Sequence, residues 1–363
     1  HGGPGRRRGG GGPFPRRWAE AGMERRRNGR TGELTLSLYE LDLDLSLTRD
    51  DFEAARARVA PHTYHTPLLT SRSLSEATGF DMRLKAEIFQ RGGSYKVRGP
   101  TNLIGQLTVE EKARGVICSS AGNHSQGVAI AARQHGVKAV VCMAENATPS
   151  KIAATEGYGA EVILHGTIWD EANEKALELV EERGLTYIHP FDDPRLIAGQ
   201  GTVGLEIMED FPDVDVIVVP IGGGGLISGV SMAAKSINPE VRIIGVESSG
   251  APAMKLSVEA GHQVTLDEVD CVIDGLRVRR IGYNTRSVAA RFVDEIVTLP
   301  DQQIFEALLW LMERAKLVAE GAAAAPVGAL LQGLVKAPAG AKVVAVLSGG
   351  NLDTEQLRGL SWN

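Results

Sequence analysis

The chain has 363 residues, with 39 Lys and Arg against 45 Asp and Glu, and a formal net charge of −6. That length suits two domains or one large α/β unit, and the mildly acidic balance argues against a nucleic-acid or anionic-membrane partner. No apolar run nears the roughly 20 residues that span a bilayer, and the three widely spaced cysteines, Cys118, Cys142 and Cys271, suit buried thiols in a reducing cytosol.

Residues 1–33 are rich in Gly, Arg and Pro with almost nothing apolar. Such a stretch cannot bury enough surface to order itself, and it reads as a disordered or non-native leader, with Met23 as a candidate true start. From Leu34 to Leu47 leucines alternate with polar residues, which predicts a strand broken by a bulge or turn near Tyr39 and Glu40. A helix is predicted to start at Thr48, where Asp51 completes a capping box, and to end before Pro61. Beyond it, β-branched runs alternate with helical stretches. Strands are predicted at 115–118, 139–143, 161–164, 214–221, 242–246 and 343–347, with helices at 125–135, 149–158 and 168–183. This alternation predicts an α/β fold of parallel sheets covered on both faces. Ligands of such sheets sit at the carboxyl ends of strands, so the loops there are where chemistry is expected.

Four of these places carry candidate chemistry. Gly222-Gly223-Gly224-Gly225 follows a strand and precedes a helix, leaving bare backbone N–H groups that suit a phosphate. Neither the P-loop pattern nor GxGxxG is present, which points away from ATP and NAD. The second place is Gly92-Gly93-Ser94-Tyr95-Lys96-Val97-Arg98-Gly99. A lysine sequestered beside Arg98 is expected to have a lowered pKa and a nucleophilic amine suited to a Schiff base. The third, Ser119-Ser120-Ala121-Gly122-Asn123-His124-Ser125, again follows a strand and suits a carboxylate at a helix N-terminus. No Ser or Cys nucleophile with an Asp partner accompanies His124, so a hydrolase triad is set aside. The fourth, Ser348-Gly349-Gly350-Asn351, ends the last strand. Together the four fit a phosphate-bearing aldehyde cofactor, pyridoxal 5'-phosphate (PLP).

These motifs, with Ile197-Ala198-Gly199-Gln200-Gly201-Thr202, resemble the fold-type II PLP enzymes (tryptophan synthase β-like), within them the threonine dehydratase and serine racemase branch, from Thr48 to Asp353. The resemblance implies two open parallel-sheet domains with PLP in the cleft: residues 34–110 plus 193–363 as the large domain, 111–192 as the small one. It implies that Lys96 holds the cofactor as a Schiff base beside Tyr95, that Asn123 hydrogen-bonds the 3'-hydroxyl, that Gly222 to Gly225 bind the phosphate, and that Ser348 faces the pyridine nitrogen. A neutral hydroxyl there suits β-elimination better than a carboxylate would. Ser119, Ser120, Ala121, Gly122 and His124 are expected around the substrate carboxylate, and Glu320 lines the cofactor, although Gly321 replaces the family's proline. Pro100 replaces an alanine after Arg98-Gly99.

Racemisation needs a second acid–base group on the opposite face. In serine racemases a serine supplies it; here the position is Ala121, which carries no proton, and a dehydratase is favoured. L-threonine would give 2-oxobutanoate plus ammonia, and L-serine pyruvate. The alternatives are a serine racemase, a hydroxyaspartate dehydratase or racemase, a β-replacement enzyme, and a non-catalytic PLP- or amino-acid-binding protein, against which an intact Lys96 counts. A divalent site of some relatives falls on Glu247, Ala251 and Ala253; with its second carboxylate missing, no divalent metal is expected and a monovalent-ion site stays open. No isoleucine-sensing domain follows Ser348, which fits a short catabolic enzyme or an isoleucine-biosynthetic one cut at a domain boundary. A cytoplasmic homo-oligomer, dimer or tetramer, is expected.

Overall fold

The structure is a computed structural model that describes residues 45–353. The predicted leader and most of the Leu34–Leu47 strand lie outside the described residues. Leu45 to Leu47 form no strand; Leu47 is buried against Phe52, Ala55 and Ile197 instead. The first helix, Arg49–Val59, starts as expected: the Thr48 side chain accepts from the Asp51 amide while Asp51 reaches back to the Thr48 amide. Its buried residues Phe52, Ala55 and Val59 recur at three and four positions, one apolar stripe of a helix.

Two sheets organise the rest. The larger is built from β1 (Leu68–Thr70), β2 (Asp81–Ala86), β7 (Val216–Pro220), β8 (Arg242–Ser248), β9 (Glu295–Leu299) and β10 (Lys342–Leu347), in the order β1-β2-β10-β7-β8-β9. The smaller holds β3 (Val116–Ser119), β4 (Ala139–Met143), β5 (Glu161–Leu164) and β6 (Thr186–Tyr187), in the order β5-β4-β3-β6. The small sheet is parallel throughout. The large one is parallel except for β1, an edge strand that runs antiparallel to β2. The central strands β7 and β10 are almost entirely buried, as the continuous apolar runs required.

Strand β2 was hidden by its charges. Arg83 pairs with Asp81, and fully buried Lys85 meets Glu206 at 2.7 Å and the Thr66 carbonyl at 2.7 Å. Paired charges can occupy an interior that isolated ones cannot.

The motif at residues 197–202 lies inside the helix Pro194–Asp210 and serves packing. This helix crosses the helix Gly225–Ile237 so closely that a Cβ on Gly229 would stand 2.5 Å from the Gly201 nitrogen and the Ile197 oxygen. Pro100 occupies the first turn of the helix Arg98–Gly105, where its missing N–H removes no intrahelical bond. All three cysteines are buried and free. Among the described residues no helix is long and apolar enough to cross a membrane.

Candidate active site

Lys96 lies in the tight turn Tyr95–Val97. This turn is tied to the end of β10: the Tyr95 amide donates to the Ser348 carbonyl at 3.1 Å, and Ser94 bridges to Gly349. The Lys96 amine donates to the Pro190 carbonyl at 3.3 Å. The next residue, Phe191, lies against the glycine loop, where a Cβ on Gly223 would stand 2.1 Å from its ring. Lys96 and Gly222–Gly225 therefore meet across two consecutive residues, Pro190 and Phe191.

The glycine loop follows β7 and opens the helix Gly225–Ile237, with Gly224 as its cap. The first intrahelical bond runs from Ser228 to the Gly224 carbonyl, so the amides of Gly225, Leu226 and Ile227 are the orphan donors of a helix N-terminus. With no side chains over them and the positive end of the helix dipole behind them, they suit an anion such as a phosphate.

Segment 188–193 is held on both sides. Asp192 accepts from the Tyr283 and Thr285 amides at 2.9 and 3.0 Å, and burial pushes its carboxyl up to about 6 against those bonds. His189 Nδ1 accepts from the Phe191 and Asp192 amides, and burial pushes the imidazole down to about 4. Nothing local in the sequence signals that Pro190 meets a lysine 94 residues away.

The loop after β3 divides by role. Gly122 caps the helix Asn123–Gln134, and its amide donates to the Ser120 hydroxyl at 3.1 Å. Ala121 lies between them, half-buried. The His124 imidazole is turned inward, while its backbone amide lies in the first turn of the helix Asn123–Gln134. Its Nε2 lies 3.0 Å from the Ile188 carbonyl, an acceptor only, so Nε2 carries the hydrogen and Nδ1 a lone pair. Nδ1 is enclosed without a protein partner, and burial together with the charge of Lys96 pushes the ring down to about 3. Ser119 is also drawn inward: its hydroxyl is enclosed without a partner, and its carbonyl accepts from the Trp169 indole at 3.1 Å.

Arg98 departs furthest from the reading of its sequence neighbourhood. It is fully buried and turned into a cluster of its own, bonded to Glu87 at 2.8 Å, Glu206 at 2.6 Å and the Thr202 hydroxyl at 3.1 Å. Two carboxylates answer its charge, which removes it as the cause expected to tune the Lys96 amine.

Asn123 and Glu320 form the other wall. Asn123 Nδ2 donates to both Glu320 oxygens at 2.8 Å, and its Oδ1 accepts from Asn351 at 2.8 Å. Burial pushes the Glu320 carboxyl up to about 7, with the Asn123 bond and the Lys96 charge working the other way. Across the mouth, Lys151 on the helix Pro149–Gly157 pairs with Asp274 at 2.6 Å. Glu247 is committed as a cap: it accepts from the Met254 and Lys255 amides at 2.7 and 2.9 Å, and burial pushes it up to about 7. Among the described residues no group of three or more His, Cys, Asp or Glu is placed to hold a metal ion.

A phosphate-bearing aldehyde fits this set: an amine, a bare helix N-terminus two residues' width away, and polar walls between. Comparison with known proteins agrees. The family model described as pyridoxal-phosphate dependent enzyme matches residues 59–349. An L-threonine ammonia-lyase of Thermotoga maritima is 47% identical over 312 residues, 86% of this chain and 77% of that protein. A catabolic L-threonine dehydratase of Escherichia coli K12 is 43% identical over 86% of this chain and 96% of its own length. Among solved structures, maize serine racemase superimposes with a TM-score of 0.83 at 36% identity, covering 86% of this chain and 96% of that one. The chain belongs to the pyridoxal-phosphate dependent enzyme family.

Proposed function

We propose that this chain is a threonine ammonia-lyase, converting L-threonine to 2-oxobutanoate plus ammonia and L-serine to pyruvate plus ammonia. The observation that carries the reading is the meeting of Lys96 with the Gly222–Gly225 helix N-terminus beside a loop whose residue 121 is alanine. PLP, when bound, withdraws electrons from the substrate Cα and makes its proton removable. The chain's residues do the rest. Lys96 is the amine that would hold the cofactor's aldehyde carbon and, once free, would take the Cα proton as general base. The first-turn amides of the glycine loop would hold the phosphate, Asn123 and Tyr95 would hold the ring, and Ser348 would offer a neutral hydroxyl to the ring nitrogen. Ser120 and Gly122 orient the substrate carboxylate. The β-hydroxyl would leave as water with the proton that Lys96 took from Cα, Lys96 would displace the product's amine, and the freed enamine would take up water to give the oxo acid and ammonia.

A racemase shares this fold, and the similarity to maize serine racemase keeps it as the second reading. Ala121 disfavours it, because a two-base exchange needs a proton carrier at that face. The catabolic name of the Escherichia coli relative favours threonine breakdown over isoleucine synthesis as the setting. The cofactor would sit between the unit of residues 111–192 and the remainder, in a cytoplasmic homo-oligomer, with a monovalent cation as the metal to test.

Purified protein with PLP and L-threonine is expected to form 2-oxobutanoate, and Lys96→Ala to lose both the product and the visible absorbance of lysine-bound cofactor. A visible band with D-serine from L-serine, and no oxo acid, would transfer the assignment to the racemase.

A further inference from the structure

Asn351 ends the Ser348–Asn351 loop, and its Nδ2 donates twice, to the Gly92 carbonyl at 2.7 Å and to Asn123 Oδ1 at 2.8 Å. Asn123 Nδ2 in turn donates to both oxygens of Glu320. One end of this relay is a backbone carbonyl, which only accepts; the other is the Glu320 carboxyl, which accepts when ionised and can donate when protonated. The carbonyl end forces each amide into one of its two orientations. Asn351 must turn its NH2 toward Gly92, which leaves that same NH2 for Asn123, so Asn123 must receive it with oxygen and present nitrogen toward Glu320. Glu320 lies within reach of the Lys96 charge, so this end of Asn123 faces the site. Gly92 lies four residues before Lys96, and the Gly350 amide donates to the Gly93 carbonyl at 2.8 Å, which fixes the loop on that segment.

We propose that Asn351 is a positioning residue that sets the orientation of the Asn123 amide, keeping its N–H toward the cofactor's ring oxygen and its carbonyl away. The proposal rests on the PLP reading above. With the N–H presented, an ionised ring oxygen gains a donor; with the amide turned over, a lone pair faces that oxygen and favours its protonated form. Asn351→Asp replaces the donor by an acceptor, repels Asn123 Oδ1 and turns the amide over. Asn351→Ala removes the constraint and lets both orientations exist. The Asn351 side chain is exposed, so neither change empties the core.

The test is an absorbance titration with PLP across pH for the wild-type protein and both variants, with circular dichroism to verify the fold. Asn351→Asp is expected to move absorbance from the visible to the near-ultraviolet band at neutral pH and to weaken PLP binding about tenfold, ~1.4 kcal/mol. Asn351→Ala is expected between the two. Variants whose band ratio matches the wild type at every pH, in a wild-type protein that shows the band, overturn this proposal alone. A wild-type protein that develops no visible band overturns the cofactor reading and this proposal with it.

Discussion

Glu320 shows how one buried carboxyl ties the site to the stability of the chain. Its pKa lies near 4.5 when unfolded and is pushed up to about 7 by burial in the fold. Between those values the folded chain keeps the proton that the unfolded chain releases, so stability falls as pH rises from about 4 to about 7 and levels off beyond. Glu320→Gln removes this loss while keeping an acceptor for Asn123. The cofactor-free variant is therefore expected to melt at the wild-type temperature near pH 4 and increasingly above it toward pH 8. A melting-temperature difference that stays constant with pH would contradict the shift. His124 is the opposite case, held neutral with a committed Nε2–H. Residue type alone does not reveal which ring nitrogen carries the proton; the Ile188 carbonyl settles it here.

At the scale of elements, the apolar alternation was readable because strands such as β7 and β10 are buried on both faces and must be continuously hydrophobic. Strand β2 escaped because Arg83 and Lys85 break its run; Arg83 is paired within the strand by Asp81, and only the distant Glu206 explains how Lys85 sits buried in a sheet. The candidate residues themselves were legible wherever glycine and polar residues clustered after a strand. Their partners were not: Asn123 meets Asn351 across 228 residues, and Arg98 turns to Glu206 rather than to its neighbour Lys96. The glycines in the helix Pro194–Asp210, read in the sequence as one marker of the family resemblance, permit a helix crossing. Gly229→Ala would push a methyl group into the Ile197 carbonyl and the Gly201 backbone. Overpacking of this kind costs about 1–3 kcal/mol, and the expected readout is a lower urea midpoint with an unchanged slope.

For the whole molecule, the ion pair of Lys151 with Asp274 joins the helix after β4 to the loop 271–278, whose Gly275 carbonyl lies against Gly222. Asp274 is 61% exposed, so the pair belongs to the class worth ~0.2–1 kcal/mol. Neutralising either partner is expected to raise KM for threonine about 2- to 5-fold, with a smaller effect at high salt. Exchanging the two charges in a double variant is expected to restore most of the loss; failure to do so would show that the two residues act separately.

The order of the large sheet bears also on how the protein comes into being. Strand β10, the last among the described residues, lies between β2 and β7 near the middle of that sheet. During synthesis β2 is made more than 250 residues before the strand beside which it will lie, as the pairing of Ala86 with Leu347 records. Until residue 347 has emerged, the two halves of the sheet have unpaired inner edges, and the loop that anchors the Lys96 turn does not exist. Nascent chains are thus exposed to edge-to-edge association for most of their synthesis. Ribosome-bound chains halted at residue 340 are expected to be cleaved by protease around β2, and those carrying a C-terminal linker long enough to bring residue 353 out of the ribosome to resist it.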